Sequence, residues 1–365
     1  LMRFLPTKIF LGFTFLISSF VHGQLITPTM DFNNFFVNFQ EGFFRPIEIQ
    51  PIVSYKAGDD VVAYIDTRGN MRIYDGIERK DVTALNVEYQ VSDHLVGYKI
   101  ANGLRMWDAG KYTPLTNFGR GFIVKDSIIV YEDTRYQSLN VYWNKQMLPL
   151  VTMTNGLSMP AAVGENIAVY KDNSDTYFCF WQGKTYEIAT YNEEPVEFNI
   201  GTDVFCFKDP YTQSFMMFDK GEFMEIESSP IKKYKSGRGF IVYEDLNGNL
   251  WMYKNGEKIA LSNFSTTFWD VKDDMTVWSE NSYLFAYSNN EKIEVATYFP
   301  GEYLLKNNTF VFRNILGGVS ALVNGKVQEI TNMRDAEFEI YGNKVLVKLF
   351  NKTSIVFSEG KIYTN

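Results

Sequence analysis

An all-β fold built from repeated four-stranded units is predicted by three features of this 365-residue sequence. An aromatic or apolar anchor recurs at intervals of 33 to 39 residues, at Tyr64, Tyr98, Tyr131, Tyr170, Phe207, Tyr243, Trp278, Phe312 and Val347. Around the anchors run short stretches rich in Tyr, Phe, Val and Ile, which suit a pleated, half-buried surface, without helical spacing between them. Hairpin signals such as Asn255-Gly256 and Asn324-Gly325 follow a second anchor in most units and supply the positive φ angles of a two-residue turn.

Each unit resolves into four strands. An alternating stretch such as Val53–Asp60 or Phe268–Asp274 turns tightly into the strand that carries the anchor. A polar loop, for example Leu246-Asn-Gly-Asn249, leads to the third strand, and the hairpin leads to the fourth. Four antiparallel strands per ~35 residues make one blade of a β-propeller. A single blade leaves both faces wet, so the blades must stack on one another to bury a core. The 31 Phe, 23 Tyr and 6 Trp then fill the widening gaps between wedge-shaped blades. Nine units can be counted over residues 50–365, which predicts a nine-bladed ring, with eight blades and one divergent unit as the alternative.

Phe268-Trp-Asp-Val-Lys-Asp-Asp274 followed by Val277-Trp278-Ser279-Glu280, and similar runs in other units, resemble the repeat of TolB-type and related bacterial β-propellers. The resemblance covers residues 50–365. It implies the propeller architecture and leaves function open.

Ahead of the repeats, Arg3 and Lys8 precede the apolar run Ile9–Val21, which ends at His22-Gly23. This reads as a cleavable secretory signal over residues 1–23, without a lipoprotein cysteine, so the expected location is the periplasm or beyond. Cleavage would remove two basic residues and shift the net charge from -8 to -10. It would leave His94 as the one histidine. Residues 24–49 form an aromatic segment in which Phe32, Phe35, Phe36, Phe39 and Phe43 fall on one face of a helix, with Asp31 as N-cap and Gly42 as stop. That Phe stripe either docks a partner or packs on the propeller itself.

Candidate chemistry is sparse. Acids and amides two residues past the anchors (Asp66, Asp133, Asp172, Asp209, Asp245, Glu280, Asn314) recur once per unit, so they ring the molecule instead of converging. Hydrogen bonding to their own turns accounts for them. Lys232, Lys233 and Lys235 form a basic cluster that would contact an anion if their strand lines the central channel. Cys179 and Cys206 lie in adjacent units, and both an inter-blade disulfide and two buried thiols fit the sequence. No metal or cofactor motif stands out, and a net negative charge disfavours nucleic acid. The expectation is a non-catalytic protein-binding scaffold of the cell envelope. Glycan or peptidoglycan-fragment binding at one channel mouth is the alternative, and a carbohydrate-active enzyme the third reading.

Overall fold

The computed structural model describes residues 25–365 apart from 83, 84, 155, 157, 193 and 194. The expected signal, residues 1–23, lies outside the described residues. The described chain forms ten antiparallel sheets in sequence order. Blade 1 spans residues 28–48 with three strands. Blades 2 to 10, each with four strands, span 52–82, 88–116, 119–152, 162–190, 198–227, 233–262, 269–296, 303–331 and 337–364. Ten separate hydrophobic clusters occupy the ten gaps between consecutive blades, including the gap from blade 10 to blade 1. The ring is therefore closed.

Two expectations are corrected here. The blade number is ten, not nine or eight, and the aromatic N-terminal segment is sheet, not helix. Strand Phe36–Gln40 turns through Glu41 (φ 51°) and Gly42 (φ 84°) into strand Phe43–Glu48. The pair Glu359 (φ 53°) and Gly360 (φ 76°) makes the same turn in blade 10. The Phe spacing that mimics a helix splits across a pleat. Phe36 and Phe39 are fully buried on opposite sides of blade 1, against Tyr64 of blade 2 and Leu346 of blade 10 respectively. Phe35 is half-buried, while Phe32 and Phe43 are exposed. Burying two phenyl rings contributes roughly 2 to 3 kcal/mol each, more than any exposed helical stripe would return.

Blade 1 corresponds to the second, third and fourth strands of the other units. Its Asp31 carboxylate accepts hydrogen bonds from the backbone N–H groups of Asn33 and Phe35, as Asp66 does from Arg68 and Asn70 in blade 2. Among the described residues, the inner wall of the ring thus consists of nine first strands. Cys179 and Cys206 are free thiols in different gaps, Cys179 between blades 5 and 6 and Cys206 between blades 6 and 7. The disulfide reading is corrected: the two sulfurs lie on opposite sides of blade 6. Burial pushes the Cys206 thiol up to about 12 and raises Cys179 as well.

Candidate functional site

Strand direction gives the ring two unlike faces. The turns between first and second strands and the X-Gly hairpins share one, the hairpin face. The loops between second and third strands and the links between blades share the other, the loop face.

On the hairpin face, acids stand two or three places ahead of five of the second strands: Asp59, Asp93, Asp126, Glu165 and, further round, Asp273. Backbone N–H groups of Asp93 and Asp126 donate to the carboxylates of Asp126 and Glu165 in the next blade. The Gly342 N–H of blade 10 donates to Asp59 of blade 2, which closes this inner ring past blade 1. Lys306 crosses the mouth and donates to both Asp59 and Asp93, at 2.6 Å each. All three groups are largely buried. The result is a plug made of one ammonium and two carboxylates.

The charges there are unevenly compensated. Burial would raise Asp59, but the Lys306 charge and hydrogen bonds from Lys306, Gly342 and Asn307 hold it below the usual carboxylate range. Asp93 is pushed up to about 6 by burial and by the neighbouring carboxylates of Asp59 and Asp126. Burial and Asp126 push Glu165 to about 7. His94 donates or accepts at Nδ1 with Asp60 (2.9 Å), and that bond raises it to about 9. These groups border a central cavity of 480 Å³, lined by Asp93, Asp126, Glu165 and Lys306 together with first-strand residues such as Leu304 and Ile340, with an adjoining space of 270 Å³.

Of the three lysines singled out in the sequence, Lys235 lines that adjoining space, so its strand does border the channel. Lys232 and Lys233 line a neighbouring basin of 660 Å³ between blades 6, 7 and 8, which Lys235 also borders. Lys235 pairs with Asp270 at 2.5 Å and Lys232 with Glu244 at 3.2 Å, so neither presents a bare charge to the channel. A channel anion site built on all three is not what the structure holds.

The acids at the ends of the second strands are consumed by their turns. Asp172 accepts from the Ser174 and Thr176 N–H groups, and Asp245 from Asn247 and Asn249. The tryptophans serve the gaps. Trp107 and Trp278 are buried and the other four half-buried. Indole N–H groups of Trp181 and Trp251 donate to Asp203 and Asp245. Lys258 covers the Trp251 ring at 4.3 Å.

What sequence reasoning missed is on the loop face. Ile315 and Leu316 of blade 9, Met333 in the link to blade 10, Phe350 of blade 10, Phe32 of blade 1 and Ile49 in the next link are all exposed, Phe350 at 82% and Ile315 at 76%. Hydrogen bonds from Arg334 Nε to the Leu316 carbonyl, and from Lys352 Nζ to Asn34, knit these neighbouring loops into one crescent. Tyr211, Leu246 and Phe264 continue the apolar tips over blades 6 and 7. Among the described residues on the hairpin face, Leu25 and Ile77 are the exposed apolar residues of comparable size outside the outermost strands.

A family model described as a 10-bladed beta propeller domain matches residues 20–363. No curated protein matches the chain. Among solved structures, similarity is found to the computationally designed Ika8 protein, 13% identical over 74% of this chain and 94% of that one, TM-score 0.36. Kluyveromyces lactis Hsv2 is 10% identical over 65% and 92%, TM-score 0.32. The CRINKLY WD40 ectodomain of the Arabidopsis thaliana receptor kinase ACR4 is 9% identical over 76% and 96%, TM-score 0.33. At these values the likenesses bear on neither ligand nor activity. Nothing in the matches is specific to TolB-type proteins.

Proposed function

The chain belongs to the 10-bladed beta propeller domain family, and on that premise we propose that it is a non-catalytic scaffold, exported from the cytoplasm, which binds another protein across its loop face. One observation carries the reading: the apolar crescent over blades 9, 10 and 1 is exposed on one face, while the opposite mouth is polar and plugged by Lys306. Contiguous exposed apolar surface of this kind marks interaction sites in soluble proteins. Loops set on a rigid ring also bind with little ordering cost. Export rests on the basic and apolar N-terminal sequence alone.

The glycan alternative has less support. It calls for paired open aromatic platforms at a channel mouth; the tryptophans are buried or half-buried, and the exposed Tyr136 and Tyr211 stand on loops of blades 4 and 6, two blades apart.

The test is a double substitution, Ile315→Ser with Phe350→Ser, in the protein expressed in its own cells and recovered with whatever co-purifies. The reading predicts loss of a stoichiometric partner at unchanged thermal stability. Retention of that partner by the variant would contradict it.

A further inference from the structure

On the hairpin face, blades 3, 4 and 5 border a cleft of 390 Å³, which has the size of a small-molecule site. Trp143 lines it, and the internal repeat supplies a reference for that ring. Trp143 and Trp181 each end the third strand of their blade, paired with Ile128 and Ile167 at the start of the second strand. The Trp181 indole N–H donates to Asp203, in the turn of the following blade, at 2.8 Å. Asn166 holds the same place in the turn that follows Trp143, with the same left-handed backbone (φ 65° against 59°). Its side-chain amide donates instead to Asp203, at 3.3 Å. Among the described residues, the half-buried Trp143 ring thus keeps a free N–H donor where its repeat equivalent is capped. The ring is nonetheless fixed in place. It stands edge-on to Phe180 with centroids at 6.2 Å, and a Cβ on Gly183 would come within 2.7 Å of it. A ligand meeting it would find a preformed surface.

The polar groups around the ring decide the class of ligand. Asn144 and Ser127 of blade 4 and Gln182 of blade 5 line the cleft, and none of these side chains is hydrogen-bonded among the described residues. Asp108 of blade 3 accepts the Tyr142 hydroxyl at 3.1 Å through one oxygen and keeps the other open. Amide groups beside a carboxylate offer donors and acceptors side by side, which neighbouring hydroxyls of a sugar satisfy. An acidic ligand is disfavoured. Asp108 and Asp126 stand against Lys145, because the fourth charged group of the lining, His94, is already bound to Asp60. A peptide strand has no edge to join here, since the third strands that end at the cleft are paired on both sides.

We propose that this cleft binds a neutral mono- or disaccharide, with its ring against the Trp143 indole and its hydroxyls on Gln182, Asn144 and Asp108. The site goes beyond the loop-face reading and does not depend on it. It is a single-platform subsite between blades, unlike the paired platforms that glycan binding as the main activity would need.

The test is saturation-transfer NMR titration of the whole protein with cellobiose, maltose, lactose and N,N′-diacetylchitobiose, set against digalacturonate. At least one of the neutral disaccharides is expected to bind saturably. Its affinity should fall about tenfold in Trp143→Phe, which keeps an apolar ring but loses the N–H, and by a similar factor in Gln182→Gly. Glycine adopts the positive φ of position 182 without strain, so that substitution at an exposed turn preserves the hairpin. It decides the matter if Trp143→Phe unfolds the chain. The Ile315→Ser, Phe350→Ser variant should bind sugar normally, and Trp143→Phe should keep the loop-face partner, so failure of the cleft and failure of the crescent are distinguishable. Saturable binding of none of the neutral disaccharides, tighter binding of digalacturonate, or unchanged affinity in the variants would overturn the proposal.

Discussion

Lys306 Nζ lies 2.6 Å from Asp93 Oδ1, a contact between residues 213 positions apart that joins blade 9 to blade 3 across the mouth of the ring. The same ammonium holds Asp59 of blade 2. The plug thus bridges the sector where blade 1 contributes no first strand to the described inner wall.

Removing that ammonium leaves two largely buried carboxylates facing each other. Lys306→Met should cost about 2 kcal/mol at pH 7.5, between the values for exposed and fully buried pairs. Urea denaturation checks this. The cost should shrink at pH 5, where Asp93, pushed up to about 6, carries a proton.

Stability should rise as pH falls from 9 toward about 5. His94 sits at about 9 in the folded chain and near 6.5 unfolded. Its contribution is therefore complete below about 6.5 and lost as pH climbs through 9. Asp93 and Glu165, at about 6 and 7, hold protons that an unfolded chain releases near pH 4, so they also favour the folded state on the acid side. Asp59 works the other way, because its lowered value makes its contribution vanish as pH drops below about 4. Melting temperatures from pH 4 to 9 would show the profile, and Glu165→Gln should flatten it between 5 and 7.

Blade 1 makes the sharpest distinction between sheet and helix. Phe36→Ala and Phe39→Ala should each cost about 3 to 5 kcal/mol, as core phenyl deletions do. Phe32→Ala, at an exposed loop tip, should stay within about 0.5 kcal/mol. Equal effects at all three positions would revive a surface stripe.

Cys179 and Cys206 should leave the melting temperature unchanged when a reducing agent is added. Both should react with a thiol reagent only after denaturant is added, since neither is accessible in the ring.

Much of this was legible in the sequence. The anchors of blades 2 to 10 mark second strands that are mostly buried, as the ~35-residue period required. Blade 1 was also written there. Gly42, Gly76 and Gly110 are 34 residues apart, and Asp31 stands 35 ahead of Asp66, so the turn signals extend one unit further than the aromatic anchors. Thr29 occupies the anchor place in blade 1, and without an aromatic ring there the unit is hidden behind the helical spacing of its phenylalanines. The plug was half visible. Aligned units place Asp59, Asp93, Asp126 and Glu165 at one turn position, but the partner of Asp93 lies six blades on, and a period reports only neighbours. The loop-face crescent was hidden for a different reason. Ile315 and Phe350 belong to loops that look ordinary one by one, Phe32 stands out only as part of a helical stripe, and only ring closure sets them side by side.

The most direct measurement is photo-crosslinking in living cells, with a benzophenone amino acid placed at Phe350, at Leu246 or at Ile77. Binding across the loop face predicts adducts to one protein from Phe350 and Leu246 and none from Ile77. Adducts confined to Ile77, or none from either loop-face position, would contradict it.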